Sequence, residues 1–286
     1  MNEVIRVQRN KSKVISAKLL SILKWTFFVI VLLILYFPIL YIVVQSFNAS
    51  NTGYDFKGFT FKWYQEMFAN EQLMTAIYNT LSMAFLATII SVVLGTLAAI
   101  GINSLDKKKR KAMILLNNVP ILNADIVTGV FLMLMFMIIS SFFGNVFGYG
   151  TMLFSHVFFC IPYVILSILP KLNEMDNNLY DAALDLGCGP VEGLWKIVIP
   201  SIKSGIVTGA LIAFTMSIDD FVISYMTTGN SVENFSIWLY TIKNPLRNNA
   251  MQMAYAYNTI ISVGTLLVLI IYNVVKKINK KKGITK

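Results

Sequence analysis

The sequence predicts an all-α, polytopic membrane protein with six transmembrane helices, and three observations carry that prediction. Of its 286 residues, 56% are hydrophobic and 13% charged, with a mean hydropathy of +0.67, which excludes a soluble domain of ordinary surface chemistry. The apolar residues gather in long runs almost free of charge, each able to supply the roughly 20 residues that a hydrocarbon core of about 30 Å requires. Basic residues fall almost entirely between alternate runs, as expected of a chain threaded through a bilayer.

The spans are expected at residues 25–46, 74–104, 112–142, 151–171, 201–224 and 250–275. The first follows a basic arm, residues 1–24, as a signal peptide would. It is too long for one and no A-x-A-like cleavage site follows, so it is read as a retained anchor. The stretch Phe143-Gly144-Asn145-Val146-Phe147-Gly148-Tyr149-Gly150 separates the third span from the fourth. The resulting organisation is an arm at 1–24, a transmembrane domain at 25–275 that contains a connector at 172–200, and a basic tail at 276–286.

Lysine and arginine set the orientation. The arm (Arg6, Arg9, Lys11, Lys13, Lys18, Lys24), the loop Lys107-Lys108-Lys109-Arg110-Lys111, the connector (Lys171, Lys196, Lys203) and the tail together hold all but four of the 24 basic residues. Lys57, Lys62, Lys243 and Arg247 lie on the opposite side. The positive-inside rule therefore puts both termini and the connector in the cytoplasm. The formal net charge of +10 is mostly this topological bias, with attraction to anionic lipid as a secondary effect, and it makes no case for nucleic acid.

The connector carries the most specific pattern, Asp-Ala-Ala-x3-Gly-x9-Ile-x-Ile-Pro from Asp181 to Pro200. Leu179, Ala182, Ala183 and Leu186 recur at helical spacing and give a small apolar face, while Asn178, Asp181 and Asp185 fall on another. Gly187 supplies a left-handed stop. Gly189-Pro190 restarts the chain, with Glu192 placed to suit the helix dipole, and Pro200 repeats that start for the following span. Helix, turn and helix between two spans suit docking into a partner's groove, although an ordinary amphipathic connector has the same patterning.

Asp181-Ala182-Ala183, Gly187, Ile197, Ile199 and Pro200 closely resemble the EAA loop of ABC importer permeases, with Asp181 standing for the usual Glu and Ile199 for the usual Leu. The resemblance implies the MetI-like fold of type I ABC importer permeases. It also implies that Asp181, Ala182, Ala183, Leu186, Gly187, Ile197 and Pro200 form a coupling helix seated in a cleft of an ATP-binding subunit.

This chain has no nucleotide loop of its own. Gly53 and Gly58 have the spacing of G-x-x-x-x-G-K-[ST], but Phe59 follows instead of Lys, so no enzyme is expected here and ATP with Mg belongs to the partner ATPase. No cofactor and no metal-ligand spacing is expected in this chain. Cys160 lies in a span and Cys188 in the connector, too far apart in topology for a disulfide. His156, alone in the fourth span with no acidic neighbour in sequence, reads as a hydrogen-bonded packing residue or as a proton relay, the first weighing more. In the outer loops, Trp63, Tyr64, Trp238 and Tyr240 suit either contact with a delivery protein or anchoring at the interface.

Transport chemistry is expected in the fifth span. Ser201, Gly205, Gly209, Ala213 and Ser217 recur every four residues, a small-xxx-small row for close helix packing. At about 100° per residue, Ser204, Thr208, Thr215 and Asp219 form a separate polar row, while Asp220 projects toward the packing side. The rise from Ser201 to Asp219 is about 27 Å, which sets the carboxylates near the outer end of the span. Burying a carboxylate costs about 2.5 to 3.5 kcal/mol on insertion scales, so Asp125, Asp219 and Asp220 are expected to be paired, used as caps or used on cargo. No Lys or Arg inside a span offers itself as partner, which favours a cationic cargo.

Ser217-Ile218-Asp219-Asp220-Phe221-Val222-Ile223-Ser224 with Thr228-Gly229 resembles spermidine/putrescine permeases of the PotC type. So do Asp125-Ile126-Val127 after Pro120, Ser46-Phe47-Asn48, and Trp63-Tyr64. This second resemblance implies a multi-pass protein of the bacterial cytoplasmic membrane working with a second permease of the PotB type, an ATP-binding subunit dimer and an extracytoplasmic polyamine-binding protein. The substrate path would involve Asp219, Asp220, Asp125, Tyr225 and Trp238, the aromatic faces attracting ammonium groups. The alternatives are an ABC permease for another small solute, an ion-coupled secondary transporter of organic cations, and a non-transporting scaffold. The absence of an evident inverted repeat counts against the second, and the acidic spans against the third.

Overall fold

The computed structural model describes residues 2–51, 55–229, 231–243 and 249–281; Gly53, Arg247 and the end of the basic tail, residues 282–286, lie outside the described residues. In chain order the helices are α1 (Asn2–Ser46), α2 (Lys62–Ala69), α3 (Glu71–Asn103), α4 (Lys107–Leu122), α5 (Asp125–Phe143), α6 (Tyr149–Glu174), α7 (Asn177–Asp185), α8 (Pro190–Gly193), α9 (Ile199–Ser201), α10 (Lys203–Asp219), α11 (Val222–Thr227), α12 (Phe235–Thr241) and α13 (Ala250–Lys281). A π-helical turn, Leu194–Val198, joins α8 to α9. The only β pairing among the described residues is a bridge between Asn48 and Phe59. Two compact units form, Met1–Ala69 with Lys243–Lys286, and Asn70–Ile242.

In the first unit α13 packs on α1 and α2, with Tyr41 and Tyr255 meeting edge to face at 6.5 Å. The loop after α1 is organised by Asn48, which is fully buried. Its side chain donates to Gln45 Oε1 and to the Asp55 carbonyl, and its Oδ1 accepts the backbone N–H groups of Ser50 and Lys57. Trp63 Nε1 donates to the Asn48 carbonyl at 2.6 Å, and Tyr64 shares a hydrogen bond with Ser46. Two sequence fragments singled out separately, Ser46-Phe47-Asn48 and Trp63-Tyr64, thus form one hydrogen-bonded knot.

The second unit is built on α3, α6 and α10, which pack pairwise. Gly205, Gly209, Ala213 and Ser217 of α10 are all buried, as the small-residue row requires, whereas Ser201 is exposed. A Cβ on Gly205 would lie 2.9 Å from the Ser167 carbonyl oxygen, and one on Gly209 would lie 3.2 Å from Val164 Cα. The helices therefore touch backbone to backbone. A second such row, Ala84, Ala87, Ser91, Gly95 and Ala99, lines the buried side of α3, where a Cβ on Gly95 would come within 2.8 Å of Val164 Cγ1.

Several expected boundaries need correction. The span placed at 112–142 is two helices: the chain turns extended at Asn123 and Ala124, and only α5, with 19 residues, is long and apolar enough to cross. Pro120 lies inside α4. The span placed at 201–224 is α10 alone, because Asp220 leaves the helix and α11 starts afresh. Its start also differs. Pro200 lies within the preceding segment, in α9, and a 71° bend separates Pro190–Ser201 from Lys203–Asp219. By length and apolarity four helices qualify as spans among the described residues, Leu20–Ser46, Glu71–Asn103, Asp125–Phe143 and Tyr149–Glu174, or five with the bent pair counted as one. The six-span expectation is met to that extent, with α13 running unbroken through residues 250–275.

Gly205→Val should separate α10 from α6 at a cost of about 1–3 kcal/mol from overpacking, seen as a lower melting temperature of the detergent-purified protein. Gly101→Ala, which meets nothing within 4 Å, should leave that temperature unchanged.

Candidate functional site

One candidate lies in the connector. Asp176 caps α7 by accepting the Asn178 N–H at 3.0 Å. At the other end Gly187 takes φ +86°, its N–H donates to the Leu184 carbonyl at 2.9 Å, and the Cys188 N–H donates to the Ala183 carbonyl at 3.0 Å. These are the two bonds of a Schellman stop. Pro190 then opens α8 in its first turn. The second arm folds back because Tyr180 lies over Gly193, where a Cβ would sit 2.9 Å from the ring, and the Tyr180 hydroxyl donates to the Pro190 carbonyl at 3.3 Å.

The hairpin's surface divides by neighbour. Tyr180, Ala183 and Leu184 are half-buried against their own chain, while Leu179, Ala182, Leu186, Val191 and Trp195 are exposed. Leu186 is 89% and Trp195 69% exposed, an apolar surface that nothing among the described residues covers. Asp181 is exposed, as the patterning implied, and Ile197 is half-buried. Glu192 pairs with Lys196, which holds the Glu192 carboxyl below its ordinary range and the Lys196 ammonium above it. Both groups are open to solvent, so the pair adds little to stability.

The second candidate lies where α10 ends. Ser204, Thr208, Leu211, Thr215 and Asp219 are exposed along one side of α10, so the expected polar row exists, with Thr208 and Thr215 bonded back to their own helix. Asp219 makes no ion pair among the described residues. Asp220 points the other way and caps α11: one carboxylate oxygen accepts the Ser224 N–H at 2.7 Å and the Ser224 hydroxyl at 2.7 Å, and the other accepts the Ile223 N–H at 3.4 Å. Asn234 donates to the Asp220 carbonyl at 3.1 Å.

His156 of α6 reaches this break. It is completely buried, with Nδ1 2.6 Å from Ser217 Oγ, Nε2 2.8 Å from Ser224 Oγ and Nε2 3.6 Å from Asp220. The expectation that His156 has no acidic neighbour is corrected here, because the break at Asp220 brings in a carboxylate 64 residues away in sequence. Its partners on α10 and α11 make it a hydrogen-bonded packing residue.

Of the remaining sequence-derived residues, Asp125 is exposed in the first turn of α5. Tyr225 is exposed, but Trp238 is only 3% exposed, stacked on Phe235, so its face is closed to any cargo. The aromatic group at this break is instead the half-buried Phe221 with the exposed Tyr225 and Tyr240, centroids 4.9 to 5.5 Å apart. At the same end of this unit a cavity of about 410 Å³ is lined by Glu71, Asn79, Tyr149 and Glu233 among others. Phe221 and Tyr240 were visible as residues, but their association follows only once the helix breaks at Asp220.

A buried small-residue α3–α6–α10 group, a solvent-facing hairpin on one connector and an acidic break at the end of α10 fit the transport component of a membrane system. The chain belongs to the family of binding-protein-dependent transport system inner membrane components, whose profile matches residues 112–280. That family supplies the transport component of such systems and not a catalytic subunit.

Curated relatives include the spermidine/putrescine transport system permease protein PotC of Haemophilus influenzae, 33% identical over 77% of this chain and 84% of the relative. The PotC protein of Escherichia coli is 30% identical over 88% and 92%, and the putrescine transport system permease protein PotI of Escherichia coli is 32% identical over 68% and 70%. Among solved structures, a bacterial ABC transporter that imports the acidic polysaccharide alginate has a chain with TM-score 0.68 and 16% identity, covering 92% of this chain and 97% of that one. That likeness establishes the fold of an ABC importer permease.

Gly187→Glu puts an L side chain in a left-handed position at a cost of about 1–2 kcal/mol and dismantles the Schellman stop. Transport should fall several-fold at a normal level of assembled complex. Unchanged uptake would contradict a role for this turn.

Proposed function

We propose that this chain is one pore-forming subunit of an ATP-driven importer for polyamines such as spermidine and putrescine. It works with a second permease of the PotB type, a pair of ATP-binding subunits that carry ATP and Mg, and an extracytoplasmic polyamine-binding protein. The protein spans the bacterial cytoplasmic membrane several times. The arm at 1–24, the hairpin at 172–200 and the tail at 276–286 face the cytoplasm, and residues 25–275 form the transmembrane domain.

The observation that carries the substrate class is the exposed Asp219, which makes no ion pair among the described residues, at a helix break flanked by Phe221, Tyr225 and Tyr240. A carboxylate left without a cation in a span is costly, and a multiply charged ammonium chain supplies the missing charge. Ring faces of Phe221, Tyr225 and Tyr240 offer cation–π contact to further ammonium groups along the same cargo. The relatives named for spermidine and putrescine support this reading.

The same geometry supports a sequence of events. The loaded binding protein docks on the outer loops, ATP draws the cytoplasmic subunits together, and the exposed Leu186, Val191 and Trp195 surface carries that movement into the permease. The hairpin continues directly into α10, so its displacement moves the helix that bears Asp219. Cargo then passes the acidic mouth.

The test is uptake by proteoliposomes holding the complete assembly. Uptake of labelled spermidine or putrescine should require ATP and the binding protein. Uptake driven by an ion gradient without ATP would instead favour a secondary transporter. Asp219→Asn should raise the KM for polyamine roughly 10-fold or more, equivalent to a charged hydrogen bond of about 1.5–3 kcal/mol. Asp220→Asn should mainly reduce the amount of assembled complex, and a larger KM effect from Asp220→Asn would reverse the assignment.

A further inference from the structure

The hydrogen bonds around His156 run in one direction. Ser224 Oγ donates to Asp220, so it can only accept from His156 Nε2, which must carry the proton. Nδ1 is then left as acceptor for the Ser217 hydroxyl at 2.6 Å. The chain Ser217 to His156 to Ser224 to Asp220 therefore joins α10, α6, α11 and the residue at which α10 ends. Every link is satisfied with a neutral imidazole and an ionised Asp220.

Asp219 sits between the two anchored positions. Ser217, two residues earlier, fixes the rotation of α10 against α6. Asp220, the next residue, fixes where the backbone leaves the helix. Its carboxylate is only 9% exposed and is occupied by α11, so it has little left to offer a passing ammonium. Thr151 Oγ1, bonded to the Thr227 carbonyl at 2.8 Å, ties the far end of α11 to α6 as well.

We infer that His156 is a positioning residue for transport: through Ser217, Ser224 and Asp220 it holds the break between α10 and α11 and so aims Asp219 at the cargo. This rests on the reading of Asp219 as the polyamine contact. Removing the imidazole takes the acceptor from the buried Ser217 hydroxyl and the donor from Ser224 Oγ, which keeps its bond to Asp220, and lets the end of α10 rotate, while the pore and the coupling hairpin stay in place.

The experiment uses the complete transporter in proteoliposomes with labelled spermidine. His156→Leu should raise KM about 10-fold, with Vmax and ATP hydrolysis per assembled complex little changed, and His156→Gln, which keeps a donor and an acceptor, should recover most of that loss. In the double variant His156→Leu/Asp220→Asn the KM change should not exceed the larger single effect, and multiplied effects would overturn the inference. Should His156→Leu fail to assemble, Ser217→Ala and Ser224→Ala cut the same chain with the packing kept, and an unchanged KM in both overturns it. Hydrogen exchange of amides 220–228 gives a reading independent of cargo: it should accelerate in His156→Leu and not in Asp219→Asn. Unaltered exchange in His156→Leu contradicts the inference. A wild-type assembly that takes up no polyamine would instead defeat the substrate reading.

Discussion

A backbone cannot be interrupted in apolar surroundings unless its freed polar groups find partners inside the protein. In this chain that constraint acts where α10 gives way to α11. The Asp220 carboxylate takes up the first N–H groups of α11, Asn234 takes the Asp220 carbonyl, and His156 closes the circuit through two serines. With the break supported in this way, one of two adjacent aspartates is committed to structure and the other is released to solvent. The half-buried Phe221 and the exposed Tyr225 and Tyr240 come together at the same interruption.

The same α6–α10 contact links this mouth to the hairpin. Gly205 and Gly209 bring α10 against the backbone of α6 with almost no intervening side chain, so the two helices behave as one body in packing terms. At one end of that body α10 follows the hairpin through the bend at Ile202, and at the other it presents Asp219. Tyr180 against Gly193 and the stop at Gly187 keep the hairpin itself rigid. In the proposed function, a push on the exposed Leu186 and Trp195 surface is delivered through this braced hairpin to α10.

Periodicity and special residues made much of this legible in the sequence. The hairpin was readable because its turn needs glycine and proline at fixed places. The small-residue row of α10 was readable because a four-residue repeat survives in one dimension. Asp219 is exposed and Asp220 half-buried, on the two sides that helical spacing assigns them, because α10 stays regular through Asp219. What escaped depended on breaks and on contacts remote in sequence. The division of 112–142 at Asn123-Ala124 has no proline or glycine to announce it. The partners of His156 lie 61 and 68 residues away, and the burial of Trp238 depends on α12 folding onto α3. The small-residue row of α3 was present in sequence, but one spacing of three interrupts its repeat of four.

The central claim is the division of labour between two neighbouring carboxylates. The most direct measurement is an experimental structure of the assembled transporter with a polyamine trapped in the pore. An ammonium is expected within about 4 Å of the Asp219 carboxylate, the usual limit of an ion pair, with Asp220 still bonded to Ser224 beside His156. An ammonium held by Asp220, or an Asp219 turned away from the pore, would contradict it.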